Sequence, residues 1–233
     1  MDFIFEVVGD ALGALSGFGE ELRRVLGLTL VVSLLATLFG VAIGVPLGAW
    51  IAMARTRVRT AWLVAVNIGM GMPPVLAGLA LLLLLWDSGP LGGLELLFTP
   101  SAMVAAQTLL AIPIAAGVTA GAIKGLPPAA LEQLAALSLS GIQRGKVVLI
   151  EVWPGVLAAV AAAFGRVVSE VGAVLVVGGN IVGETRVLTT AIVQETRQAN
   201  FGEALALGLV LVLLAGAING FLTWMQLRNA RYE

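Results

Sequence analysis

Arg166 and Glu170 stand four residues apart in FGRVVSEVG, inside a run from Val152 to Val177 that is otherwise almost wholly apolar. Four-residue spacing puts two side chains on one face of an α-helix. A lone charge at the centre of a bilayer costs at least about 2.5 kcal/mol, so ionisable residues there pair with each other or mark a transport path. Two readings follow: a structural ion pair facing the interior of a helix bundle, or a gate beside the path of an anion. Thr29, Ser33 and Thr37 repeat the four-residue spacing as one polar stripe. It either lines a passage or bonds back to its own helix backbone. A third set, Asn180, Thr185, Thr189 and Thr190 with Arg186, lies in GGNIVGETRVLTTAI and offers hydrogen-bond donors to an oxyanion. Its readings are a solvated outer loop and a lip that meets a partner.

Other chemistry is excluded by composition. With no cysteine and no histidine, thiol nucleophiles, thiolate metal sites and the usual general base are absent. No carboxylate pair falls within the apolar blocks, and no Gly-x4-Gly-Lys-Ser/Thr phosphate loop occurs. The expectation is a chain that is not an enzyme and needs neither metal nor cofactor. A net charge of −1 gives no basic face for nucleic acid.

The elements that must position these residues are membrane helices. The 233 residues are 59% hydrophobic and 12% charged, with a mean hydropathy of +1.03. A soluble domain carries about 25% charge. Continuous apolar blocks, each long enough to cross about 30 Å of hydrocarbon, predict five spans. They run over about Leu26–Ala54, Ala61–Trp86, Ala102–Ile123, Val147–Val177 and Ala204–Leu227. The fold class expected is therefore all-α, a polytopic transmembrane helical bundle of about five spans. Residues 1–25 form an interfacial or extracytoplasmic lead-in, with Phe3, Ile4, Val7, Val8, Leu12 and Leu15 at helical spacing. Residues 26–227 form the membrane domain, and 228–233 a cytoplasmic tail.

Arg55, Arg57, Arg59, Lys124, Arg144, Lys146, Arg228 and Arg231 collect on one side of these spans, and most acids on the other. Positive charge favours the cytoplasm. The N-terminus is therefore expected outside and the C-terminus inside, with the loop 124–146 cytoplasmic. Pro46, Pro73-Pro74 and Pro113 fall within the spans and are expected to bend them. Glycines in GVAIG and GVPLG invite close helix packing.

The loop KGLPPAALEQLAALSLSGIQRGKVVLIEVWPG opens with Pro127-Pro128, a helix start. Leu131, Leu134 and Leu137 then follow at helical spacing, with Gly141 expected to end the helix. Taken alone, that is either an interfacial connector or a docking helix.

The same loop resembles the cytoplasmic motif of importer permeases of the ATP-binding-cassette superfamily: E-A-A, three residues, G, nine residues, then I-x-L-P. Glu132 stands at the E position, Gln133 and Leu134 replace the alanines, and Ser138 replaces the glycine. Val148 and Ile150 match I and L, and Glu151 replaces P. LTLVVSLLATLFGVAIGVPLGAW resembles the stretch that opens many such permeases. The final third, from GRVVSEVG to FGEALALG, resembles permeases of tungstate importers, relatives of the molybdate and sulfate permeases.

The resemblance implies a homodimer, two cytoplasmic ATPase subunits and an extracytoplasmic oxyanion-binding protein. It implies an ATPase-coupling helix drawn from Ala129, Leu131, Glu132, Gln133, Leu134, Ala135, Leu137 and Ser138, closed by Gly141. The function expected is the permease of an ATP-driven oxyanion importer, with tungstate as the anion. Molybdate or sulfate transport by the same class is the alternative, and an ion-coupled secondary transporter a further one. The latter class favours intramembrane acids and inverted repeats, and here Glu170 is the one well-placed acid.

Overall fold

The computed structural model describes residues 2–17, 19–54, 56–127, 129–130, 133, 136 and 139–229. Their regular structure is helical, with no strand among the described residues. In chain order the long elements are α1 (Asp2–Gly17), α2 (Glu20–Met53), α3 (Thr56–Gly71), α4 (Pro74–Leu85) and α5 (Pro100–Lys124). They continue with α6 (Gly141–Glu151), α7 (Trp153–Val168), α8 (Gly172–Gly178), α9 (Leu188–Arg197) and α10 (Phe201–Asn229). Helices α2, α5 and α10 are each long and apolar enough to cross a bilayer. Counting each broken pair, α3 with α4 and α6 with α7, as one span raises the number to five.

Two of the expected spans are not single helices. The second is interrupted between Gly71 and Pro74, where Pro73 and Pro74 lack the N–H groups that would continue the ladder. The fourth is made of parts of α6, α7 and α8. Between α6 and α7 the axis turns by 81°. Pro154 explains this turn: it lacks the donor for the carbonyl four residues back and crowds it, so the helix restarts at Trp153. A second interruption, at residues 169–171, separates α7 from α8. Pro46 and Pro113, by contrast, lie inside unbroken helices.

The chain forms two compact units. The first comprises Met1–Ala36, Pro73–Gln107 and Val167–Ile218. Its core gathers Val25, Leu188, Ala191 and Leu207. Helix α1 meets the start of α10 there, where a Cβ on Gly202 would come within 2.5 Å of the Asp10 Cβ.

The second unit comprises Thr37–Met72, Thr108–Arg166 and Asn219–Glu233. Gly40, Gly44 and Gly48 form a stripe on α2 that lies directly on α5. A Cβ on Gly44 would fall 2.6 Å from the Ile112 carbonyl oxygen, and one on Gly48 2.4 Å from that of Ala116. Only glycine lets these backbones approach so closely. Around this contact Val45, Ala49, Ala115, Ile123, Val148, Val152 and Val156 form the core.

Candidate functional site

In hydrocarbon every broken helix leaves backbone donors and acceptors that cost several kcal/mol each unless something satisfies them. The first unit meets this demand with buried polar side chains. Gln107 on α5 donates Nε2 to the carbonyl of Val167 at 3.1 Å, in the last turn of α7. The carboxylate of Glu170, just before the N-cap Val171, accepts from the N–H of Ala173 at 3.2 Å, a free donor in the first turn of α8. The Glu170 carbonyl accepts in turn from the Thr189 hydroxyl at 2.9 Å. At the far end of α8, Thr185 donates to the Gly178 carbonyl at 2.5 Å and accepts from the Ile181 N–H at 2.9 Å. Thr190 accepts from the Val187 N–H at 3.1 Å where α9 begins.

Thr29 joins this set from α2. It donates back to the Val25 carbonyl at 2.6 Å and accepts from the Leu188 N–H at 3.0 Å. Both readings of the threonine stripe therefore meet in one hydroxyl, which bonds to its own helix and also caps another. Ser33 and Thr37 are buried, and Thr37 belongs to the second unit.

The expectation that Arg166 and Glu170 share one helix face does not hold. Arg166, half-buried, lies in the last turn of α7, which stops at Val168. Glu170, 4% exposed, lies in the interruption and opens α8 instead of extending α7. The expectation for GGNIVGETRVLTTAI is also revised in part. Residues 181–184 are exposed, as an outer loop would be, but Thr185, Thr189 and Thr190 are buried with their hydroxyls engaged. Asn180 adopts a left-handed backbone, φ 54°, and its Oδ1 is buried without a partner.

Half-helices α4 and α8 meet through glycine. A Cβ on Gly78 would lie 2.8 Å from the Ala173 Cα, and one on Gly172 2.6 Å from the Val75 Cγ2.

Arg186 borders two clefts in the first unit. The larger, about 320 Å³, is also lined by Glu20, Glu21, Arg24 and Glu184; the smaller, about 80 Å³, by Glu21, Glu195 and Glu203. The Arg186 guanidinium reaches Glu21 at 3.6 Å, while its Nε is buried without a partner. Carboxylates outnumber guanidiniums in both clefts. Coulomb repulsion therefore disfavours a dianion there and favours a basic protein surface.

Of the residues expected in the coupling helix, Ala129 and Gln133 are helical and exposed. Leu131, Glu132, Leu134, Ala135, Leu137 and Ser138 lie outside the described residues. Gly141 does not end that helix but begins α6. Ser140 caps α6 through a reciprocal bond with Gln143: the Ser140 N–H donates to Gln143 Oε1 at 2.9 Å, and Ser140 Oγ accepts from the Gln143 N–H at 3.4 Å.

Sequence reasoning missed Gln107, whose signal was a lone amide in a long apolar helix. It also missed Thr108 and Thr119, whose buried hydroxyls have no partner in the second unit.

Comparison with known proteins places this architecture. Over 203 residues the chain is 38% identical to a Haloferax volcanii protein named "Probable anion ABC transporter permease protein", covering 85% of this chain and 88% of that one. It is 34% identical over 227 residues to the tungstate uptake system permease protein TupB of Peptoclostridium acidaminophilum, covering 97% and 99%. The fold matches the crystal structure of a bacterial ABC transporter that imports the acidic polysaccharide alginate. That match has a TM-score of 0.73 and 20% identity, over 94% of this chain and 83% of that one. Residues 44–231 match the model of one family across most of the membrane domain, and the chain belongs to that family, the inner membrane components of binding-protein-dependent transport systems.

Proposed function

We propose that this chain carries tungstate through the inner membrane as the permease of an ATP-driven importer. The observation that carries the proposal is the likeness to a tungstate uptake permease, which runs almost end to end in both chains. Two copies pair, two cytoplasmic ATPase subunits dock on the loop 124–146, and an extracytoplasmic oxyanion-binding protein delivers the anion. The permease itself does no chemistry: ATP is hydrolysed by the partner.

Alternating access requires the anion to bind inward- and outward-facing states unequally. The interruptions at Gly71–Pro74, Val152 and 169–171 supply joints for such a change. Glu170 and Thr189 hold helix ends at the third joint, Thr185 holds the far end of α8, and Thr29 and Thr190 hold the start of α9, so the anion meets other donors. Arg166, at the last turn before the third joint, is our candidate for the charge that senses the anion. The acid-lined clefts beside Arg186 suit a basic surface on the binding protein. The basic loops suit a cytoplasmic C-terminus.

Anion-stimulated ATP hydrolysis by the reconstituted complex tests this reading, with molybdate and sulfate as the competing anions.

A further inference from the structure

A groove of about 640 Å³ opens in the second unit between the C-terminal end of α2 and α6. Its floor is apolar, with Pro46, Ala49 and Leu149, and its walls include Trp50 and Met53. Arg144 and Lys146 line it as well. The groove is built on fixed elements. Ala49 and Val148 belong to one core, Gly145 leaves 3.7 Å between its Cβ position and the Met53 Cε, and the Ser140–Gln143 box caps the start of α6.

Large apolar side chains around the groove are exposed: Trp50 is 48% and Ile142 77% open. Trp50 packs edge-on against Trp62 at 5.6 Å, the kind of aromatic pair that settles at a membrane–water boundary. Charge points the same way. The sequence of this unit carries nine Lys and Arg against three acids, Glu132, Glu151 and Glu233.

An apolar slot with two cations on its walls, at the level of interfacial tryptophans, matches one kind of molecule: an amphiphile with an anionic head and hydrocarbon tail. We propose that this groove is a binding site for a membrane phospholipid with an anionic headgroup, its acyl chain on the α2 floor and its phosphate between Arg144 and Lys146. The proposal is independent of which anion the protein transports.

Native mass spectrometry of the permease–ATPase complex tests it, after exchange into micelles supplied with phosphatidylglycerol or with phosphatidylcholine of the same acyl chains. We expect about one phosphatidylglycerol retained per permease chain and phosphatidylcholine lost. The double variant Arg144→Gln/Lys146→Gln should lower retention of phosphatidylglycerol on the order of tenfold or more, and Arg144→Lys/Lys146→Arg should keep it. Thermal unfolding of each variant reports that it is folded, and the wild-type comparison of the two lipids stands alone if the double variant does not fold. Three results would overturn the proposal. One is equal retention of both lipids. Another is displacement of phosphatidylglycerol by inorganic phosphate, the mark of a bare anion site. The third is retention only after the ATPase is removed, which would make the ATPase the occupant.

Discussion

The hydroxyl of Thr29 accepts a hydrogen bond from the N–H of Leu188 at 3.0 Å, across 159 residues of chain. The first donor of α9 is thereby satisfied by a side chain of α2. Replacing Thr29 with valine keeps the shape and removes the acceptor. A buried unsatisfied N–H costs about 1–3 kcal/mol, so Thr29→Val should lower the unfolding temperature of the solubilised permease by several degrees. Thr29→Ser should retain most of the stability. An unchanged transition in Thr29→Val would show that this bond does not hold α9 in place.

The Glu170 carboxylate accepts a hydrogen bond at the start of α8. Glutamine also presents an acceptor to the Ala173 N–H, whereas alanine presents none. Glu170→Gln should therefore fold and support ATP hydrolysis close to the parent, while Glu170→Ala should lose about 1–3 kcal/mol of stability, the cost of leaving a buried N–H without its acceptor. Thermal unfolding and ATPase rate, measured side by side, separate the two roles. A Glu170→Gln complex that folds fully but does not transport would mean that the negative charge itself does the work, as a gate paired with Arg166 would require.

The contact of α4 with α8 depends on the missing side chain of Gly78. Gly78→Val would put a Cβ against the Ala173 backbone and should cost about 1–3 kcal/mol through overpacking. Gly121 on α5 faces open space, so Gly121→Ala should be neutral or stabilise by up to about 1 kcal/mol. Equal effects of the two substitutions, read by unfolding temperature, would refute a close α4–α8 approach.

Docking of the ATPase is read by co-purification. Leu134→Asp with Leu137→Asp should abolish recovery of the ATPase with the tagged permease while the permease stays monodisperse. Full recovery would remove the loop 124–146 from the interface.

Much of this architecture was legible in the residues. Apolar blocks of 20 or more announced the membrane helices, and the glycines of GVAIG and GVPLG announced close packing, whose partner the structure shows to be α5. Pro73-Pro74 marked one interruption openly. Pro154 marked another, at Val152, that periodicity alone had passed over. The interruption at 169–171 was hidden for a physical reason. VVSEVG contains no proline, and its helix stops because groups distant in sequence take over its backbone bonds: Gln107 sixty residues before Val167, and Thr189 nineteen after Glu170. Spacing arguments assume a continuous helix, so the placing of Arg166 and Glu170 on one helix face failed there. The threonines of 185–190 misled for a related reason. A hydroxyl reads the same in sequence whether it faces solvent or caps a buried backbone group.

The central claim is that this permease couples ATP hydrolysis to tungstate import. Its most direct test is the ATPase rate of the complex reconstituted in proteoliposomes with its binding protein, titrated separately with tungstate, molybdate and sulfate. The account predicts stimulation at low tungstate, with weaker responses to the other two. Stimulation by molybdate or sulfate at lower concentration than tungstate would contradict the substrate, and a rate indifferent to all three anions would contradict the claim itself.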